Sequence, residues 1–308
     1  MVLFGLDISH HQSFSLNLVQ CKKEGVSYIF IKSTEGSSFI DPAFAANLAE
    51  AKQAGLLVAA YHYVKSNATA LAQVQNVARV VPKDVPVIPD VEANSGGVAL
   101  LRSFVGELQH AGYHVPLTYL PRWYWQQIGS PDLTGLPALW SSRYPDNVVG
   151  TMHDEYADVP ATYWNGYGNL SIAVLQFTSS ARVAGYQPLD ANAFRGTIED
   201  MKVLLGVKTV ALKDEFWTVT DYDNNKTLPV DALTMLGNLY QMQFYGSKTA
   251  PWNAPSEVAM LKDLVAREAV QIDEAVLAQK MHDLGIGGVT VEQIKSLLNE
   301  LTLKAIGS

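Results

Sequence analysis

From the start of the chain to about residue 143, apolar strand-like runs alternate with helix-like segments at intervals of roughly thirty residues, the length of a βα unit. Strands joined by crossover helices run parallel. The strand candidates span 2–9, 28–33, 57–63, 85–92, 115–120 and 138–142, with helical stretches at 16–23, 42–54, 68–81 and 98–111. Gly25, Gly55 and Gly112 each close a helix, the usual C-terminal stop. After Pro121 the rhythm changes. Residues 144–169 are rich in Tyr, Asp, Gly and Pro and show no clear helix, and residues 172–177 then give another strand. A closed barrel lacking its last helices has this pattern.

Polar or ionisable residues stand at or just beyond the ends of nearly all these strands: Asp7, then Lys32 and Glu35, then Tyr61, His62 and Tyr63, then Asp90 and Glu92, then Tyr119, Trp140 and Gln176. Parallel barrels and doubly wound sheets both place ligands at that end. The most informative of these ends is Pro86-Val87-Ile88-Pro89-Asp90-Val91-Glu92, a short apolar run leading into two carboxylates. Residues two apart on a strand share a face, and the strand rise sets Asp90 and Glu92 roughly 6.5 to 7 Å apart. Burying a carboxylate without a partner is costly, and a like charge beside it raises its pKa. The stretch taken alone leaves two readings open: chemistry, or a solvated strand end where Asp90 caps a turn.

Several function classes drop out. No G-x-G-x-x-G follows the first strand and no G-x-x-x-x-G-K occurs, so no nucleotide cofactor is expected. H-E-x-x-H and G-x-S-x-G are also missing. His10 and His11 lack a third histidine nearby, so neither metal nor any other cofactor is expected. The single cysteine, Cys21, leaves no internal disulfide and reads as a small core residue. A net charge of −8 without a Lys/Arg cluster argues against nucleic acid or an anionic membrane as partner. No apolar run reaches the 18 or so residues of a membrane span. The opening residues carry no basic leader, so synthesis in the cytoplasm without a signal peptide is the expectation.

Aromatic residues are dense between Tyr113 and Tyr167. Many must pack the core, and a subset on the upper loops can offer flat faces to sugar rings. Two carboxylates, no metal and many aromatics point to a glycosidase.

At these residues the chain resembles the glycoside hydrolase family 25 muramidases, which cut peptidoglycan glycan strands. Gly5-Leu6-Asp7-Ile8-Ser9 with Gln12 looks like that family's opening strand, and Ile29-Phe30-Ile31-Lys32-Ser33-Thr34-Glu35-Gly36 its second. Tyr61-His62-Tyr63 resembles its Y-H-F, Asp90-Val91-Glu92 its D-x-E, Leu139-Trp140 through Tyr144 its sixth strand, and Leu189-Asp190-Ala191-Asn192 its closing V-D-L-N. Leu175-Gln176-Phe177-Thr178 stands where the family has W-Q-Y-S, so Leu175 is expected to remove one sugar contact. The resemblance spans about residues 2 to 205. It implies a TIM-like α/β barrel of five βα units followed by three strands, acting on peptidoglycan. It also implies substrate assistance, with Glu92 as general acid then base, Asp90 orienting the substrate acetamide, and Asp7 and Asp190 tuning Glu92. Lys32, Tyr61, Tyr119, Trp140 and Gln176 are the expected substrate contacts. The alternatives are a related N-acetylhexosaminidase or chitinase-type hydrolase, and a barrel that binds glycan without cutting it in a virion or wall-targeting complex.

Past Gly206 the βα rhythm stops. The expected organisation is a catalytic barrel at 1–206, a linker at 207–215 and an α-helical region at 216–308. That region contains a polar turn at 221–226, a helix over 229–244, a second from about Ser256, and a third opened by the capping-box pair Thr290 and Gln293. Its amphipathic helices suggest homo-oligomerisation or cell-wall targeting. A cytoplasmically made muramidase with such a tail resembles a phage endolysin, which acts on the bacterial wall after release; a bacterial enzyme exported by another route is the alternative.

Overall fold

The structure is a computed structural model and describes residues 2–12, 16–207, 215–221 and 226–231, the last two stretches by backbone alone. The chain divides into two units, Met1–Val207 and Lys208–Ser308. In the first unit the order is β1 (Leu3–Ile8), α1 (Leu18–Lys23), β2 (Val26–Glu35), β3 (Phe39–Ile40), α2 (Phe44–Gln53), β4 (Leu57–Tyr63), α3 (Ala70–Ala78), β5 (Val87–Asp90), α4 (Val98–His110) and β6 (Leu117–Tyr119). Then come α5 (Arg122–Gln127), β7 (Ala138–Ser142), α6 (Met152–Ala157), a 3₁₀ turn (Ala161–Trp164), β8 (Ile172–Val183), β9 (Tyr186–Phe194) and α7 (Ile198–Leu204). The three glycines expected to stop helices follow α1, α2 and α4, with φ of 99°, 69° and 85°. Only glycine takes that left-handed conformation without steric cost.

Eight strands pair in the order β1-β9-β8-β7-β6-β5-β4-β2, and β1 with β2 closes the ring; β3 hangs from β2. Pairings from β1 through β2 and on round to β8 are parallel, but β9 is antiparallel to both its neighbours. The βα cadence did not predict this reversal. Its cause is local: Val183 pairs with Tyr186 across Ala184 and Gly185, whose φ values of 52° and 74° suit a two-residue hairpin turn. The stretch 144–169, read as free of helix, holds α6 and the 3₁₀ turn. The side chain of Thr151 caps α6 by accepting from the Asp154 N–H. These are single-turn elements, too short for a hydrophobic stripe to reveal.

Alternation along the strands sorts two cores. Leu6, Ile8, Ile29, Ile31, Val58, Ala60, Val87, Val91, Leu139 and Leu175 face outward, into a layer shared with the helices. Tyr28, Phe30, Leu57, Ala59, Ile88, Leu117, Trp140, Val174 and Phe194 fill the barrel. Met201 of α7 and the following Leu205 join this inner cluster, and the His114 imidazole, just before β6, hydrogen-bonds the Leu204 carbonyl. Thus α7 plugs the end where the parallel strands begin. Gly5 lets Tyr28 cross the interior, because a Cβ at that position would lie 2.3 Å from the Tyr28 ring. Cys21 is buried in the outer core, and burial pushes its thiol pKa up to about 12.

In the second unit, β10 (Glu215–Asp221) and β11 (Lys226–Asp231) form an antiparallel hairpin. This corrects the helical reading where the two overlap. Trp217 and Val219 alternate with Thr218 and Thr220, a period of two, and Pro229 is tolerated because both strands of a two-stranded sheet are edges. The polar segment between the strands, and the helices expected beyond residue 231, lie outside the described residues. Among the described residues no helix is long and apolar enough to cross a membrane.

Candidate active site

Asp7, Asp90 and Asp190 lie on inward-facing positions of β1, β5 and β9, at the end opposite α7, and Glu92 follows two residues past Asp90, just beyond the end of β5, which stops short of the expected strand 85–92. Asp7 and Asp190 are directly paired in register across the β1–β9 ladder, and Asp90 is paired with Tyr63 on one side and Tyr119 on the other. The topology therefore collects four carboxylates, separated by up to 183 residues in sequence, at one mouth.

Asp7 is 7 % exposed, and its Oδ2 accepts two hydrogen bonds, from Gln176 Nε2 at 2.8 Å and Asn192 Nδ2 at 2.7 Å. Both amide orientations are fixed from behind. The Asn192 Oδ1 accepts from the Trp140 indole N–H at 2.7 Å, and an indole nitrogen can only donate. The Gln176 Oε1 accepts from the Tyr119 and Tyr144 hydroxyls at 3.2 and 2.7 Å. Asp7 Oδ2 is therefore an acceptor and carries no proton. Burial raises the Asp7 pKa, the two amides pull it back, and the result is about 6.

Asp90 is 5 % exposed, yet among the described residues its Oδ1 has no hydrogen-bond partner. Burial first, then the Glu92 charge, push its pKa well above the usual carboxylate range. Glu92 is half-buried, its backbone N–H donates to Ser95 Oγ at 3.0 Å, and burial and Asp7 raise its pKa while Lys32 and Lys65 oppose the rise. Burial, then Asp7, then Glu92 raise Asp190 to about 8. At neutral pH the cluster therefore retains protons that four isolated carboxylates would have lost.

The other expected residues fall into two groups. Lys32 and Tyr61 line the mouth: Lys32 Nζ pairs with Glu35 at 2.9 Å, and burial and Asp7 raise the pKa of Tyr61. Trp140 and Gln176, by contrast, are 2 % and 4 % exposed and lie beneath the surface, where they support other groups. The rings of Tyr119 and Tyr61 rest on Trp140 with centroids 4.4 and 6.1 Å away. Tyr119, itself buried, spends its hydroxyl on Gln176. Leu175, expected to mark a lost sugar contact, faces the outer core and is fully buried, so the substitution lies outside the mouth. Asn192 and Tyr144 were not singled out as site residues. Asn192 lies two positions past Asp190, the same i, i+2 spacing that drew attention to Asp90 and Glu92.

A closed barrel with converging carboxylates of raised pKa, one buried and one half-buried two residues apart, has the equipment of a glycoside hydrolase. The family model for glycosyl hydrolases family 25 matches residues 6–186, and the chain belongs to that family of lysozyme-like glycoside hydrolases. Lysozyme M1 of Streptomyces globisporus is 42 % identical over 65 residues, a stretch covering 21 % of this chain and 22 % of that protein. A bacterial lysozyme from Streptomyces coelicolor has a similar structure, with a TM-score of 0.52, 26 % identity and coverage of 66 % of this chain and 96 % of that one. A family GH25 lysozyme from Aspergillus fumigatus shares the fold, with a TM-score of 0.55 and 24 % identity over 67 % of this chain and 99 % of that one.

Proposed function

We propose that this enzyme is an N-acetylmuramidase that cleaves the β-1,4 bond between N-acetylmuramic acid and N-acetylglucosamine with help from the substrate's own acetamide. The observation that carries the reading is Asp90 Oδ1, a buried carboxylate oxygen without a hydrogen-bond partner among the described residues, two positions before a half-buried Glu92. In this reading the acetamide N–H of the bound sugar donates to that oxygen. Protonated Glu92 gives its proton to the glycosidic oxygen as the acetamide oxygen attacks C1 and the C1–O bond breaks. Asp90 stabilises the positive charge that builds on the resulting ring. Glu92, now a carboxylate, takes a proton from water as that water attacks C1 and reopens the ring. Burial and the Asp7 charge favour the acid form of Glu92, and Asp190 tunes the same cluster.

Two measurements test this. The pure protein should clear a suspension of Gram-positive walls, and NMR of the first product should show the β configuration at C1. An α-configured product would turn the mechanism to inversion, and cleavage confined to polymers of N-acetylglucosamine would make the enzyme chitinase-like.

The biological setting proposed is phage-induced lysis, with the protein made in the cytoplasm and acting on the wall after release. Residues 216–308 would tether or oligomerise the enzyme. A chain ending at residue 207 should then cleave soluble glycans normally and lose activity on intact walls. Equal wall binding and association state in the two forms would reject the tethering role.

A further inference from the structure

Beside the four acids, the mouth carries a compact cationic group that the mechanism above does not use. Glu35 Oε2 binds Lys32 Nζ at 2.9 Å and Glu35 Oε1 binds Lys65 Nζ at 3.0 Å. Both ammonium groups also lie near the Tyr63 ring, 5.2 and 4.5 Å from its centroid. The Tyr63 hydroxyl donates to the Ala93 carbonyl at 2.6 Å, which ties this group to the residue after Glu92. Lys65 itself is held from behind. The Gln73 side chain accepts from its N–H at 2.8 Å and donates to its carbonyl at 3.0 Å.

Two cations and one anion leave a surplus positive charge facing Glu92. That surplus works against a proton donor, because both lysines pull down the pKa of Glu92 and so disfavour its acid form. A charge so placed makes sense if the substrate cancels it. Each ammonium has three donors and gives one to Glu35, and the lysine side chains are 15 % and 29 % exposed, so donors remain at the surface. We propose that Lys32 and Lys65, bridged by Glu35 across Tyr63, form a subsite for a carboxylate on the sugar substituent beside the scissile bond. This rests on the muramidase reading and adds the charge of the substituent to it. A monoanion matches the single surplus charge, whereas a phosphate dianion would leave net negative charge against Glu92 and Asp90. Binding the carboxylate restores the acid form of Glu92 when it is needed.

The carboxylate can be the lactyl group of bare muramic acid or belong to a stem peptide, and the test separates the two. Peptide-free and peptide-bearing glycan strands, each as free acid and as methyl ester, are compared by kcat/KM and by calorimetric binding to the Glu92→Gln protein. Free acids should be preferred by about tenfold, the size of one charge-assisted hydrogen bond, and Lys65→Gln should shrink this to within about twofold while Lys65→Arg keeps it. Preference on bare strands assigns the lactyl carboxylate, and preference only on peptide-bearing strands assigns the stem. Equal handling of acid and ester by the unmutated protein, or a preference that survives Lys65→Gln, overturns the subsite. Should no strand be turned over, the muramidase reading fails, while binding to the Glu92→Gln protein still decides whether the subsite exists.

Discussion

Asp7 and Asp90 are two carboxylates buried to nearly the same degree, on inward positions of β1 and β5, and the barrel treats them oppositely. Around Asp7, strands β7, β8 and β9 supply Trp140, Gln176 and Asn192, so that Oδ2 accepts two amides whose orientations are themselves fixed. Around Asp90, Oδ1 has no partner among the described residues. The resulting pKa values differ accordingly, about 6 for Asp7 against a value well above the usual range for Asp90. A satisfied buried acid holds structure; an unsatisfied one is a binding site kept open at a cost in stability. The β1/β8/β9 side of the mouth is thus satisfied from within the barrel, and under the proposed function the β5 side is completed by the substrate.

The sharpest way to break this contrast is on the β5 side. Glu92→Gln replaces the acid with a near-isostere that cannot give up a proton, so wall lysis should fall at least about 100-fold while circular dichroism and the melting transition are unchanged. Substantial activity in the folded variant would remove Glu92 from that role. Asp90→Asn should cost on the order of 100-fold in kcat, because an amide cannot answer the developing positive charge. Its stability should hold or rise by on the order of 1 kcal/mol, since the amide cannot ionise at a site where burial disfavours the charged form. A marked loss of stability in Asp90→Asn would show that Asp90 is structural after all.

The complementary change on the satisfied side is Asn192→Leu. It deprives Asp7 of one amide and leaves the Trp140 N–H unpaired in the interior, so urea unfolding should show a loss of about 1–3 kcal/mol. With one amide gone, the Asp7 pKa should also rise, since that hydrogen bond favours the charged form. If Asn192→Leu and Asp90→Asn change stability alike, the distinction between satisfied and open acids has no energetic content.

Much of this site was readable from residue spacing, because period-two alternation needs no tertiary information. It put Asp90 and Glu92 on one face and marked the strand ends as the functional end. Long-range satisfaction was not readable. Nothing near Asp7 in sequence announces that Gln176 and Asn192, 169 and 185 positions away, will hold its oxygen. Burial was hard to foresee for the same reason. Trp140 and Gln176 read as substrate contacts because they end strands, but the Tyr61 and Tyr119 rings and the Tyr144 hydroxyl lie against them. In the fold, α2, α3 and α4, of nine or more residues, were legible, as was the six-residue α1 ahead of Gly25, whereas the short α5, α6 and α7 were not. The reversal of β9 was hidden in the backbone of Ala184, a residue that rarely adopts positive φ. Near Pro229 the helical reading lost to a two-residue period, because short apolar runs are ambiguous between the two periods.

The smallest expected effect lies in the pH dependence of stability. Asp190 goes from a pKa of about 8 in the folded chain to about 3.9 when unfolded. Between those values the folded state binds more protons than the unfolded one, so stability falls as pH rises and is fully present only below about 4. Asp7, at about 6, contributes in the same direction over the lower part of that range. His62 opposes both there. It is buried between Thr34 and Gln73, burial lowers its pKa from 6.5 to about 4, and stability therefore rises with pH up to 6.5 on its account. Acids with lowered pKa, such as Asp132 at about 2, act only at lower pH still. Above 6.5 the His62 and Asp7 contributions have nearly run their course and that of Asp190 has not. The melting temperature should therefore decline from about pH 6.5 to about pH 8.5, and Asp190→Asn should flatten the decline while leaving the behaviour below pH 6 nearly intact. Parallel curves for the two proteins above pH 6.5 would mean that Asp190 is already ionised in the folded enzyme, and that the mouth keeps its protons on the β5 side alone.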